Sequence, residues 1–97
     1  MGLDCYIEKR PKVEKEEVKY WRRNWVLQNW MESENCEDKV ITIKTMELLL
    51  EFIKDRDAEG SERWTEADWE DFEKDIKDII YDMRANESYE YTYHGWW

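Results

Sequence analysis

Few residue types that build catalytic or metal centres are abundant in this 97-residue chain: it has one histidine, two cysteines, three glycines and one proline. With His94 alone and Cys5 far in sequence from Cys36, no ligand set has metal-binding spacing. Three glycines make neither a phosphate-cradling loop nor an EF-hand turn. No nucleophile has a recognisable base beside it, because His94 lies in a terminal strand without a local partner signature. A carboxylate pair could form by accident among 25 Asp and Glu residues, so such pairs carry little information. A non-enzymatic chain without metal or cofactor is expected. No apolar run approaches the ~20 residues of a membrane span. The N-terminal Gly2 lacks the Ser or Thr that a myristoylation motif wants at position 6, where Tyr6 stands. A cytoplasmic protein with reduced thiols is expected, with Cys5 buried in a strand.

What is abundant is charge and aromatic surface. The formal charge is −10, and seven Trp, six Tyr and two Phe are present. Residues 1–31 carry seven basic and five acidic side chains, a net of +2; residues 32–64 carry five and ten, a net of −5; residues 65–90 carry three and ten, a net of −7. Such a balance repels phosphates overall, which argues against direct nucleic-acid binding and serves either solubility or a partner protein with a basic surface. Hydrophobic content of 41% is too high for a disordered acidic tail. The length fits one domain, 1–97.

Alternation in "GLDCYIEK" puts Leu3, Cys5 and Ile7 on one side of a strand, and Pro11 stops it. From about Val13 to Glu32 the pattern is helical. Lys39–Ile41 suits a short strand, and Thr42 or Thr45 caps a helix running to about Ala58. "AEGSER" is a loop centred on Gly60. Thr65 and Asp68 form a capping box for a third helix, to about Asn86. The tail alternates again, with Tyr89, Tyr91, Tyr93 and Trp97 on one face, and is expected to pair antiparallel with the first strand. The predicted fold is α+β, three helices on a small antiparallel sheet that pairs the N- and C-terminal strands.

On the third helix Trp69, Phe72, Ile76, Ile79, Ile80 and Met83 form the core stripe. Asp68, Asp71, Asp75, Asp78 and Asp82 follow spacings of 3, 4, 3 and 4, a continuous acidic stripe and candidate partner surface. The second helix is apolar over more than half its circumference, including Leu48, so it is either central or meets a second copy of the chain. On the first helix Val18, Trp21, Trp25 and Gln28 share one face, while Lys15, Lys19, Arg22 and Arg23 form a basic strip with Trp30 nearby. Trp21 and Trp25 are expected in the core, as the floor of a pocket containing Gln28. Trp30 and the arginines are expected to meet something outside. Glu17, Trp21, Arg22, Arg23, Trp25, Gln28 and Trp30 are the candidate pocket or contact edge.

"MGLDCY", "EVKYWRRNW" and "YEYTYHGWW" together resemble a family of small tailed-phage and prophage proteins, which begin MGLD, carry a YWRK-type helix and close a Tyr-rich strand on Trp. Gly2, Leu3, Asp4, Tyr6, Glu17, Tyr20, Trp21, Arg22, Trp30, Tyr89, Tyr91 and Trp97 carry the likeness. The resemblance implies phage origin more than mechanism. Where that family continues with Asn and then His, this chain has Trp25 and Gln28, so a role needing an imidazole at position 28 does not apply. The expected function is inhibition of a host or bacterial-defence protein in the manner of anti-CRISPR proteins, with the acidic helix as a nucleic-acid mimic. Sequestration of a nucleotide-like signal, or a structural role through homo-oligomerisation, is the alternative.

Overall fold

Leu3, Cys5 and Ile7 are completely buried while Asp4, Tyr6 and Glu8 between them are only partly covered, the signature of a strand with one face on a core. The computed structural model describes residues 2–10, 16–36 and 39–96. Its elements are β1 (Asp4–Arg10), β2 (Glu16–Arg22), α1 (Trp25–Ser33), β3 (Val40–Ile41), α2 (Ile43–Ile53), α3 (Glu66–Ala85) and β4 (Glu90–Trp96). The sheet order is β2-β1-β4-β3 and every pairing is antiparallel. The first and last strands are central neighbours, so the α+β arrangement read from the sequence holds.

The long first helix does not. Residues 16–22 are an edge strand, and only Trp25–Ser33 is helical. β1 has two edges whose backbone groups need partners. β4 satisfies one, and β2 satisfies the other, from Asp4↔Arg22 to Lys9↔Glu16. The register skips Val18, which packs against the core as a bulge residue. At the end of β2 the chain turns sharply: Arg23 is left-handed at φ 58° and donates its N–H to Leu3 O at 2.6 Å. Asn24 then caps α1, accepting from the Leu27 N–H at 3.0 Å. Pro11, Val13, Lys15 and Trp97, each given a place by the sequence reading, lie outside the described residues.

Thr42 is the cap of α2, accepting from the Thr45 N–H at 3.3 Å. That helix ends at Ile53 rather than near Ala58, because three successive i→i−3 bonds tighten the chain and Arg56 turns left-handed at φ 56°. The Thr65–Asp68 capping box opens α3, and all six residues of its apolar stripe are buried. They meet Leu3, Cys5, Ile7, Tyr91 and Tyr93 in one continuous core. α2 buries Met46, Leu49 and Ile53 but leaves Leu48 half exposed. On the outer side of the sheet Tyr20 donates to Asp4 at 2.6 Å, and His94 faces Glu8 at 3.0 Å. No helix of the described residues is long and apolar enough to cross a membrane.

Candidate functional site

The two surfaces of opposite charge meet in one place. A cleft of about 270 Å³ lies where the end of β2 faces the first half of α3, with Trp21, Arg22, Arg23, Trp64, Asp71 and Phe72 along it. Its floor is built from α3's own periodicity: Phe72 belongs to the buried stripe and points inward. Trp21 and Trp64 both stand nearly perpendicular to the Phe72 ring, at 89° and 81°, with centroids 5.9 and 5.5 Å away. Trp64 also packs on Trp69 at 4.7 Å. Trp21 is fixed at its other end, donating its indole N–H to Asp75 Oδ2 at 3.0 Å.

The acidic stripe is divided by what the sheet places opposite it. Asp75 and Asp78 face Lys19 of β2 at 3.5 and 3.6 Å. Asp82 holds Lys9 at 3.2 Å and accepts from the Tyr91 hydroxyl at 2.6 Å. Asp68 accepts from the Thr65 N–H in the capping box at 2.8 Å. Asp71 alone of the five makes no ion pair or side-chain hydrogen bond among the described residues. Arg22 and Arg23 are likewise exposed and without such a bond among the described residues. Across α3 from the sheet, Arg56 is pinned by Glu66 at 3.0 Å and Glu73 at 3.4 Å, and its bond to Glu66 raises its pKa.

Several expectations for the aromatic face are inverted. Trp21 and Trp25 share no helical face, since Trp21 is in a strand. Trp25, expected in the core, is 41% exposed at the start of α1, whereas Trp30, expected outside, is 7% exposed and packs near Phe52. Gln28 is completely buried and not in a pocket: it accepts from the Tyr93 hydroxyl and donates to Glu32 at 2.9 Å. Glu17 is exposed on β2, away from the cleft residues. Trp64 was missed, because a tryptophan in a loop belongs to no periodic pattern. Its only signal was position, one residue before the helix cap.

Burial pushes the Cys36 thiol up, towards the unreactive protonated form. The Tyr20 hydroxyl is raised by its bond to Asp4. Among the described residues no three His, Cys, Asp or Glu side chains converge as a metal site. No protein family, no curated protein and no solved structure matches this chain.

Proposed function

We propose that this chain is a non-catalytic binding protein that occludes a basic surface on a partner protein, of the kind with which a host or defence protein grips nucleic acid. One observation carries the reading. Residues 55–71 hold eight acidic side chains against two basic ones, a net of −6 out of the whole chain's −10, and all eight acids are exposed. The acidic surface is therefore the α2–α3 connection and the first turns of α3. The far half of the aspartate stripe is occupied by Lys9 and Lys19.

A dense, exposed single-sign patch raises the local potential and speeds encounter with an oppositely charged surface. It also competes with phosphates for the same lysines and arginines. The likeness to small phage proteins supports a setting inside a bacterial host, where blocking a host or defence protein has a use. The test compares the chain with a quadruple variant, Asp55→Asn, Asp57→Asn, Glu59→Gln and Glu62→Gln, as baits in a bacterial lysate. The native bait should retain basic nucleic-acid-binding proteins that added double-stranded DNA releases, and the variant should lose them. Retention by the variant, or indifference to DNA, refutes the reading.

A further inference from the structure

We infer that the cleft between β2 and α3 is a binding site for a mononucleotide, with its base against Trp21 and Trp64 and its phosphate on Arg22 and Arg23. The site shares Asp68 and Asp71 with the acidic patch, but Asp55, Asp57, Glu59 and Glu62, the acids changed to test that patch, do not line it, and neither reading needs the other.

Charge comes first, because three aspartates line a cleft offered here to an anion. Two of them are committed. Asp75 holds the Trp21 indole and Lys19, and Asp68 holds the helix cap. Asp68 keeps its charge in that cap, and Asp71 is the one carboxylate of the three with neither an ion pair nor a side-chain hydrogen bond among the described residues; Arg22 and Arg23 are two guanidiniums with neither. The cleft is not net positive, but the placement of these groups offers an anion the arginine end and a hydrogen-bond donor the Asp71 end. A carboxylate only accepts, and a guanidinium pair matches the geometry of phosphate oxygens.

The middle of the cleft selects what joins those ends. Two indoles held by Phe72 offer flat apolar surface, and base–indole stacking contributes about 1–3 kcal/mol per base. At about 270 Å³ the cleft lies at the small end of ligand sites. It takes a base and leaves sugar and phosphate at the exposed rim, where the arginines are.

The backbone that carries the arginines is also fixed before any ligand arrives. Arg23 is one of three non-glycine residues with positive φ among the described residues, a conformation that costs roughly 1 kcal/mol. It is held by its 2.6 Å bond to Leu3 O, and the next residue, Asn24, is buried as the cap of α1. Strain of this kind, fixed by its surroundings, is a mark of functional positions.

Asp71 narrows the base. Guanine presents two adjacent N–H donors on its Watson–Crick edge, which a carboxylate accepts together, while adenine presents only its amino group. The ligand class is thus a guanine mononucleotide.

Titration of the intact chain with GMP, AMP, guanosine, inorganic phosphate and a single-stranded oligonucleotide, by calorimetry and tryptophan quenching, tests this. Saturable quenching by GMP is expected, roughly tenfold tighter than by AMP, with guanosine and phosphate each much weaker. Arg22→Ala with Arg23→Ala, both exposed, should weaken GMP at least tenfold, with a thermal melt unchanged at about 0.5 M salt, where the added net negative charge is screened. Asp71→Asn should bring GMP and AMP together. Absence of saturable binding at millimolar GMP, or unaltered binding by the arginine variant, overturns the site. Equal binding of GMP and AMP to the native chain overturns the base assignment. An oligonucleotide that binds more tightly than GMP makes the cleft a strand-binding surface and overturns the mononucleotide.

Discussion

At Gly95 the fold leaves no room for one methyl group. The residue lies opposite Cys5 in the sheet, and a Cβ there would overlap Gln28 Oε1 and come within 3.2 Å of the Tyr93 hydroxyl. Gln28 cannot swing aside, because both ends of its amide are bonded in a fully buried site. Gly95→Ala should therefore destabilise by about 2 kcal/mol, a fall in melting temperature of roughly 10 °C. Gln28→Ala in the same chain should cost less than the sum of the two changes; strict additivity would show that Gln28 is not what fills the space. Tyr91 makes the second residue-level prediction. Burial, then its bond to Asp82, raises its pKa well above the ordinary value of 10.0. Folding thus favours the neutral hydroxyl, so its contribution is fully present below about pH 10 and is lost as pH rises towards the folded value. Native stability should decline above about pH 10, and Tyr91→Phe should flatten that limb of the melting curve against pH.

Among the elements, α3 shows how far local signals reach. Its six-residue apolar stripe and its cap follow from spacing alone, and the capping box has both of its reciprocal bonds. Thr65→Ala should cost about 1 kcal/mol, seen as a lower denaturant midpoint at unchanged slope. β2 shows where local signals end. "EEVKYWR" is rich in good helix formers and contains no Gly or Pro; what makes it a strand is the open edge of β1, a long-range demand that overrides propensity. The strand also resets which side of α1 faces the core. A helix starting at Trp25 instead of Val13 puts Trp25 on an exposed first turn and turns Gln28 and Trp30 inward. The arginines of the cleft were legible because they sit in a compact local motif. Trp64 was not, because only the packing of the α2–α3 connection against Phe72 and Trp69 brings it there.

For the whole molecule, the question is how a chain of net charge −10 balances attraction and repulsion. Its attractive pairs are short: Lys9–Asp82 at 3.2 Å, Lys19–Asp75 at 3.5 Å and Arg56–Glu66 at 3.0 Å. They span far less than the screening length of about 10 Å at 0.1 M salt, and the two to Lys9 and Lys19 are partly buried. Repulsion comes from exposed carboxylates along residues 55–71, spread over longer separations through water, where screening acts fully. Salt should therefore remove more repulsion than attraction. Raising sodium chloride from about 0.02 to about 0.5 M should increase the melting temperature by a few degrees, a gain below about 1 kcal/mol. Chloride is the appropriate anion, since sulfate would add a surface-exclusion effect of its own. The triple variant Asp57→Asn, Glu59→Gln and Glu62→Gln should melt higher than the native chain at low salt and respond less to added salt. A melting temperature that falls with salt would instead place the dominant electrostatic contribution in the ion pairs between α3 and the sheet. The variant would then melt no higher than the native chain at low salt.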